Sequence, residues 1–481
     1  MSPRLLKKLV YAGSNATSCK QARDFLAELA GYDCKPWQVL RACHRIGAER
    51  LEQRAAVVAS FEDLTLAQRD MPPCAPPELI AIMADGGRLQ IRPNEEEQEL
   101  AAAALEAKDG PATSAAAKVE AAAVAVAERE AKRNETAPAA LSAEAVPAET
   151  APKSTETEAE TSEKGRFWKE DKIGIFLHLA PTAHETDPCP ELPEVFRDPL
   201  VVLKLAREVG HADLPAGAGK FQRAKAEEGR PDVADVPEEP EASEPSSANA
   251  DEKDKKNKRR PGAPKVSSRR VVATRQSVET FGPMLAAMAW SMGFLAAKRG
   301  AFVGDGAAWL WCLQKSYFPR LTPVVDFIHV LSYVFAAALA GRADLEEGWP
   351  VYQEWITWVW KGEVERLLAA LRQRLEELPE GSEARETVAN ALGFLEGQKG
   401  HMDYATYRQQ GLPIMSSLVE STVKQIGRRV KGTEKFWTEE GAEALLQLRA
   451  DYLSDDEPMA HFWTARSQRM TGQNPYRRKA G

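Results

Sequence analysis

The 481 residues are enough for two or three domains, and an apolar content of 43% allows a sizeable hydrophobic core. The net charge of −8 does not exclude a nucleic-acid partner, because the charges are unevenly distributed and local patches matter more than the total. The longest apolar run, residues 283–297, is too short to span a bilayer, so no membrane partner is expected. Six widely spaced cysteines without a CxxC pair favour a reducing, cytoplasmic setting.

Residues 1–70 show the apolar periodicity of helices. Phe25 and Leu26 lie on one helical face, Gly31 breaks the pattern, and Pro36 precedes a second helix. Two short helices around a Gly-containing turn fit a helix-turn-helix DNA-binding domain, whose second helix would carry Arg41 and Arg45. A helical hairpin that packs on the next domain fits the same pattern.

Two short apolar runs each end in an aspartate beside glycine. The run 79–84 leads into Asp85-Gly86-Gly87 and then alternating residues, which predicts a hairpin with Asp85 at its bend. The run Ala301–Val303 ends in Gly304-Asp305-Gly306 and is followed by an apolar helix. Open α/β sheets place their chemistry at the carboxyl ends of buried strands, although turn formation or helix capping would explain either aspartate alone.

Low-complexity segments interrupt the predicted core. Residues 95–164 are dominated by Ala, Glu, Thr, Ser and Pro, and they predict a disordered insertion that the fold tolerates. Residues 229–268 predict a second polar linker with a basic run at 253–260. Between the two segments, 165–228 contains a strand and a helix, whereas 269–297 predicts a helix.

The rest of the chain is predominantly helical. A buried strand near 321–325 runs into a helix on which Asp326 and His329 would share a face. Residues 343–410 are predicted to be helical throughout. A further helix at 416–426 carries Glu420 and is followed by basic and aromatic residues, a helix at 439–453, and a basic tail at 456–481.

Three carboxylates are candidates for one metal site: Asp85, Asp305 and Glu420. Carboxylate oxygens are the ligands that Mg²⁺ prefers. Two such ions can activate an attacking oxygen and stabilise the leaving oxygen in phosphodiester cleavage. Asp171 and Asp198 also lie between the low-complexity segments, but a strand start and a loop are poorer positions than that of Asp85.

The order of these motifs resembles the DDE transposases of bacterial insertion sequences, in particular the ISKra-type group related to the Mutator-like branch. The resemblance rests on Ala84-Asp85-Gly86-Gly87, Gly304-Asp305-Gly306, Asp326-Phe327-Ile328-His329 and Ser417-Leu418-Val419-Glu420, within 79–92, 165–180 and 270–455. It implies an α/β fold, with an RNase H-like mixed-sheet core preceded by the small helical domain. The core would comprise 71–94, 165–228, 269–342 and 411–455, with 343–410 as an all-helical insertion.

The resemblance also implies roles for individual residues. Asp85, Asp305 and Glu420 would be the catalytic ligands of two Mg²⁺ or Mn²⁺ ions, and Asp326 and His329 would support them. The reaction would be hydrolysis at the element ends followed by attack of the 3′-hydroxyl on target DNA, in a homo-oligomeric synaptic complex associated with the bacterial nucleoid. Terminal inverted repeats and target DNA would be bound by Arg41, Arg45, Arg428, Arg429, Lys431, Lys435 and Trp437.

Two other functions fit the same residues. One is a transposase-derived DNA-binding protein without catalysis, although the presence of all three carboxylates argues against it. The other is an RNase H-like nuclease that does not transfer strands and needs no sequence-specific N-terminal domain.

Overall fold

The computed structural model describes residues 2–92, 168–209, 264–432 and 435–470. The predicted insertion 95–164, most of the linker 229–268 with its basic run, and the end of the basic tail lie outside these residues. The described part is an α/β fold with many helices and one five-stranded mixed sheet. The strands are β1 (Leu79–Gln90), β2 (Trp168–Leu179), β3 (Val266–Thr274), β4 (Arg299–Gly304) and β5 (Thr322–Val325).

The described residues also form fifteen α-helices. In chain order they are α1 (Pro3–Asn15), α2 (Cys19–Ala30), α3 (Pro36–Glu62), α4 (Leu66–Arg69), α5 (Pro199–Val209), α6 (Val278–Ser291), α7 (Ala308–Tyr317), α8 (Phe327–Leu339), α9 (Leu345–Trp360), α10 (Val364–Glu377), α11 (Glu383–Gln398), α12 (Tyr404–Gln409), α13 (Ser417–Val430), α14 (Glu439–Tyr452) and α15 (Pro458–Met470).

The chain divides into two compact units. The larger comprises Met1–Gly87, Asp171–Val430 and Glu443–Gly481, and it contains the candidate site. The smaller comprises Arg88–Glu170 and Lys431–Ala442. Within the smaller unit, Ile91 pairs with Trp437 in an isolated parallel bridge.

The N-terminal region is helical, as the sequence predicts. Gly31 ends α2 in the left-handed conformation with φ of 57°, which glycine adopts without a Cβ penalty. The helix that follows, α3, is 27 residues long, so the prediction of two short helices is wrong. Its apolar positions continue for several turns, and a long helix buries more of them than a short one can.

Helix α3 contacts α14 at Gly47, Arg50 and Arg54. At Gly47 an added Cβ would lie 2.5 Å from the Cβ of Ala444, so the two helix backbones are in close contact. Arg50 forms an ion pair with buried Asp451 at 2.8 Å, and Arg54 forms one with Glu443 at 2.6 Å. Buried pairs of this kind are costly to break, so α3 is an integral part of the larger unit. Of the two interpretations of residues 1–70, this favours the helical hairpin that packs on the next domain over the helix-turn-helix domain.

The order of strands in the sheet is β3-β2-β1-β4-β5. Strand β1 runs parallel to β4, with register pairs from Leu79↔Arg299 to Met83↔Val303, and β4 runs parallel to β5 up to Gly304↔Val325. Apolar side chains fill all three strands because both faces of this part of the sheet are covered. Since the strands are parallel and adjacent, their carboxyl ends meet at one edge of the sheet.

Two predicted elements are wrong. Strand β1 continues through Asp85-Gly86-Gly87 to Gln90, so this segment is not a hairpin bend. Residues 266–274 form β3 and not the start of a helix, and only 278–291 is helical in that stretch. In β3 the β-branched residues Val271 and Val272 pair with β2 in an antiparallel ladder, and this non-local pairing outweighs the apolar helical pattern that follows.

The C-terminal half contains the predicted run of helices. Helices α9 to α12 occupy 345–409, which confirms the helical prediction for this stretch. The prediction of a basic tail is wrong for the first part of that stretch, which forms α15. This helix buries Met459 and Phe462, and its Arg466 binds Glu49 of α3 at 2.6 Å. The linker 229–268 also ends earlier than predicted, since β3 begins at Val266.

Among the described residues, no helix is both long enough and apolar enough to cross a membrane.

Candidate metal centre

The parallel strands bring three aspartates to the same edge of the sheet. Met83 pairs with Val303 in the register of β1 and β4. Asp85 and Asp305 each lie two residues further along the chain, so the same register places them side by side. The pair Gly304↔Val325 likewise places Asp305 beside Asp326, whose N–H donates to the Gly304 carbonyl oxygen at 2.8 Å. Neighbouring strands lie about 4.7–4.9 Å apart, so the backbones of Asp85 and Asp326 flank that of Asp305 at this edge.

The Asp305 side chain is fixed by its own loop. Its Oδ1 accepts the Ala307 N–H at 2.8 Å, which is the turn that an aspartate before a helix commonly makes. Gly306 has φ of +103°, a conformation that other residues rarely adopt. Asp85 is held more simply, since its Oδ1 accepts the N–H of Gly86 at 2.7 Å.

Asp326 is fully buried and organises the elements around it. It precedes α8 and is not part of the helix, and its Oδ1 accepts the N–H groups of Ile328 at 3.3 Å and Ser416 at 3.1 Å. Its Oδ2 lies 2.8 Å from Nδ1 of His329. One carboxylate therefore caps α8, orients His329 and fixes the residue that precedes α13. Asp326 and His329 lie close together, as the sequence predicts, because Asp326 caps the helix that carries His329.

Glu420 comes from α13, in its first turn. The Ser416 hydroxyl donates to Glu420 Oε1 at 3.2 Å, and Ser416 is itself held by Asp326. One ligand atom each from Asp326, His329 and Glu420 lie within 4.8 Å of one another. The late helix therefore delivers its carboxylate to the edge of the sheet where β4 and β5 end.

The pKa values indicate a concentration of negative charge. Burial first, and then the nearby charges of Asp305 and Glu420, raise the pKa of Asp85 to about 6. The pKa of Glu420 is raised by burial and by the charge of Asp326. Carboxylates that are costly to ionise together in a half-buried site are stabilised by a cation between them.

His329 supplies part of that positive charge in the protein alone. Burial by itself would lower its pKa, but the hydrogen bond to Asp326 and the charges of Asp326, Asp305 and Glu420 raise it to about 9. The imidazole is therefore protonated at neutral pH and donates its Nδ1–H to Asp326. In the metal-free protein this positive charge offsets part of the negative charge of the carboxylates, and loss of the proton would leave a ring nitrogen available to a metal ion.

The carboxylates of Asp85, Asp305 and Glu420 fit a hard divalent cation. They are oxygen donors from three separate segments, and the charges of Asp305 and Glu420 raise the pKa of Asp85, a repulsion that a cation would relieve. Asp326 also lies in the cluster, but its oxygens are engaged by two backbone N–H groups and His329. The ligand atoms of Asp326, His329 and Glu420 nevertheless lie close enough together to hold a metal ion, so this position is compatible with metal binding as well as with support.

The two other aspartates that the sequence left in question lie elsewhere. Asp198 accepts the Leu200 N–H at 2.9 Å at the start of α5. Asp171 lies inside β2 and is buried, with its carboxylate close to Gly87, where an added Cβ would lie 2.7 Å from Oδ1. Gly87 therefore gives the β1 backbone room to pass this side chain.

The predicted DNA-binding residues are placed differently from one another. Arg41 and Arg45 are exposed on α3, with Arg41 lying 4.7 Å from the centre of the Trp37 ring and Arg45 3.6 Å from Glu49. Arg428 is exposed on α13. Lys431, Lys435 and Trp437 belong to the smaller unit, where the Trp437 backbone pairs with the segment Gln90–Arg92.

The prediction that Arg429 binds DNA is wrong, because this residue does not lie at the surface. Its side chain is buried, and its Nε donates to the Gly13 carbonyl oxygen at 2.7 Å, while Nη2 contacts Cys19 Sγ at 3.4 Å. The helical periodicity of α13 turns this position toward α1, so the guanidinium joins the two helices.

Sequence reasoning missed Ser416 and Tyr333. Tyr333 follows His329 by four residues on α8. Burial raises the pKa of its hydroxyl first and the charge of Asp305 raises it second, which indicates that the hydroxyl lies near that carboxylate. Helical spacing from His329 could have identified Tyr333. The sequence marks Ser416 only as a plausible N-cap of the helix that carries Glu420.

No protein-family model, curated protein or solved structure matches this chain. Its function therefore has to be argued from the fold and from the carboxylate cluster.

Proposed function

We propose that this protein is a DDE-type DNA transposase that cuts phosphodiester bonds at the ends of an insertion sequence and joins the 3′-hydroxyl to target DNA. The observation that carries the proposal is the convergence of Asp85, Asp305 and Glu420. They are far apart in the sequence, yet the register of β1 and β4 sets Asp85 beside Asp305, and the charges of Asp305 and Glu420 both raise the pKa of Asp85.

The fold supports an RNase H-like core. A mixed five-stranded sheet carries aspartates at the ends of its adjacent parallel strands β1, β4 and β5. The helices α9 to α12 lie in the chain between His329 and Glu420, at the position of the insertion that the resemblance implies. The order of carboxylate, carboxylate, Asp-x-x-His motif, helical insertion and glutamate is thus compatible with the family.

The residues of the site have distinct roles in this proposal. Asp85, Asp305 and Glu420 would hold two Mg²⁺ or Mn²⁺ ions, which when bound would activate an attacking oxygen and stabilise the leaving oxygen. Asp326 orients His329 and, through Ser416, fixes the start of the helix that carries Glu420. His329 balances negative charge before the ions and the DNA phosphate arrive.

DNA binding is assigned to the exposed cations. Arg428 lies on the same helix as Glu420, two turns further along, so a phosphate chain that reaches the carboxylates can extend toward it. Arg41 and Arg45 provide exposed positive charge on α3. Because α3 is held by buried ion pairs to α14, these residues would act as part of the larger unit and not as a separable domain.

A cleavage assay on the element's own ends tests the proposal. Purified protein is incubated with labelled DNA carrying those ends in Mg²⁺, Mn²⁺ or EDTA, and Asp305→Asn is compared with Asp63→Asn. Asp63 is an exposed aspartate at the end of α3, so its variant controls for the loss of one carboxylate. The expected result is metal-dependent cleavage that Asp305→Asn abolishes and Asp63→Asn retains, with DNA binding unchanged.

The other outcomes separate the alternatives. Binding of the ends without cleavage by the wild type would favour a DNA-binding protein that has lost catalysis. Cleavage without joined products would favour an RNase H-like nuclease. Cleavage by Asp305→Asn at the wild-type rate would refute the assignment of the metal site.

A further inference from the structure

A helix of the insertion region contacts the loop that carries Asp305. Gln398, the last residue of α11, is buried, and its Nε2 donates to the Gly306 carbonyl oxygen at 3.0 Å. One turn earlier, Phe394 packs against the same glycine, where an added Cβ would lie 2.7 Å from its ring. The residue next to Asp305 is therefore held by a hydrogen bond and by an aromatic ring, both from α11.

The orientation of the Gln398 carboxamide is determined by its two partners. The Gly306 carbonyl can only accept, so the amide NH₂ must face it and the amide oxygen must face the other way. That oxygen lies 3.0 Å from Nδ1 of His401, which must therefore donate. The His401 ring in turn packs 4.5 Å from Trp311 of α7, the helix that follows the Asp305 loop. The contacts form a closed circuit around the loop.

Phe394 links this circuit to α8. Its ring stacks on Tyr333 with centroids 4.0 Å apart and an angle of 17° between the planes. Tyr333 is one helical turn beyond His329, so the same side of α8 faces the carboxylates and α11. Helix α11 therefore supports two of the elements that form the candidate metal centre.

We propose that Gln398 is a positioning residue for the metal centre, and that the helical insertion is a working part of that centre through the Gln398–Gly306 hydrogen bond. This inference rests on the proposed function, since it assigns Asp305 to metal binding. Asp305 lies just beyond β4, where no strand pairing fixes its backbone, and the glycine that follows it is conformationally free. The bond from Gln398 removes that freedom.

Loss of this hydrogen bond is expected to weaken metal binding. Residues that orient a metal ligand without touching the metal typically contribute on the order of 10–100-fold in affinity or activity. Gln398→Met keeps the length of the side chain and removes both hydrogen bonds. Asn390→Met is the matched control, because Asn390 is an exposed carboxamide on the same helix.

The test measures Mn²⁺ binding and its effect on catalysis separately. Binding is followed by the electron paramagnetic resonance signal of free Mn²⁺, and cleavage of the element ends is measured as a function of Mn²⁺ concentration. For Gln398→Met we expect the Mn²⁺ midpoint to rise on the order of 10–100-fold, with most of the maximal rate recovered at saturating Mn²⁺. Asn390→Met should match the wild type. Partial unfolding would lower the maximal rate without moving the midpoint.

The outcomes distinguish this inference from the proposed function. A wild-type protein that binds no Mn²⁺ and cuts no DNA would overturn both. If the wild type binds Mn²⁺ and cuts DNA, but the Mn²⁺ midpoint is unchanged in Gln398→Met, only the positioning role would be overturned. If Gln398→Met does not unfold cooperatively, His401→Phe replaces it, since this variant keeps an aromatic ring against Trp311 and removes the donor to Gln398. A midpoint unchanged in His401→Phe would count equally against the positioning role.

Discussion

Replacing Asp85 with asparagine should make the metal-free protein more stable at neutral and higher pH. The folded protein raises the pKa of this carboxyl from 3.8 to about 6, through burial first and then the charge of Asp305. A raised carboxyl pKa means that the folded state resists ionisation, so the charged form costs stability. Asparagine keeps the shape and an oxygen for the Gly86 N–H, and it removes the charge.

The magnitude follows from the size of the pKa shift. Each pKa unit corresponds to about 1.4 kcal/mol, so the ionised Asp85 costs up to about 3 kcal/mol of folding stability. The cost is absent below pH 3.8, grows as the pH rises between 3.8 and about 6, and is fully present above about 6. Asp85→Asn should therefore unfold at a temperature a few degrees above the wild type at pH 8 in EDTA, with a smaller difference at pH 5.

The assay is thermal unfolding in EDTA and in excess Mn²⁺ at both pH values. Mn²⁺ should stabilise the wild type more than Asp85→Asn, because the ion binds the folded site and the variant lacks one of its ligands. Asp63→Asn, at an exposed position, should behave as the wild type in all four conditions. An Asp85→Asn protein that is less stable than the wild type at pH 8 in EDTA would refute the electrostatic account of the site.

Three further predictions test the surroundings of the cluster. Asp326→Asn should lower the pKa of His329 from about 9 toward 6.5, as measured by NMR of labelled histidines. The part of its destabilisation that comes from His329 should be full below pH 6.5 and disappear as the pH rises through about 9, and a His329 that still titrates near 9 would contradict this. Gly306→Ala should lower the free energy of unfolding by about 1–3 kcal/mol, because φ is +103° and the new Cβ would meet Phe394. An unchanged free energy of unfolding would show that the loop can relax. Arg429→Ala should lower the free energy of unfolding by about 1.5–3 kcal/mol through loss of its bond to Gly13, and Arg428→Ala at an exposed position should weaken DNA binding. An Arg429→Ala melting temperature equal to that of the wild type would be inconsistent with the burial of Arg429.

Local sequence patterns were sufficient for elements whose signals are short-range. Capping residues and apolar periodicity predicted the N-terminal helices and the helices between 343 and 410. The apolar run before Asp305 predicted β4, and the apolar run before Asp326 predicted the strand that leads into α8. These signals are local because a helix satisfies its hydrogen bonds within itself and a buried strand needs continuous apolar residues.

Strand pairing was not predictable in the same way. The segment Asp85-Gly86-Gly87 has the composition of a turn, yet it lies within β1. The start of β3 resembled part of a helix until its pairing with β2 was known. A strand satisfies its hydrogen bonds through a partner that is distant in sequence, so composition alone leaves its extent undetermined.

The sequence by itself determined which residues of this protein could do chemistry: aspartates beside glycines after apolar runs, an Asp-x-x-His motif and a glutamate on a late helix. Only the tertiary structure decided which of them meet. The parallel register of β1, β4 and β5 sets the aspartates side by side, and Asp326 ties His329 and Ser416 into the same site. The burial of Arg429 and the contact of Gln398 with Gly306 likewise depend on the packing of helices far apart in the chain. Packing partners are set by the shape of the whole core, and this information is not contained in any short stretch of sequence.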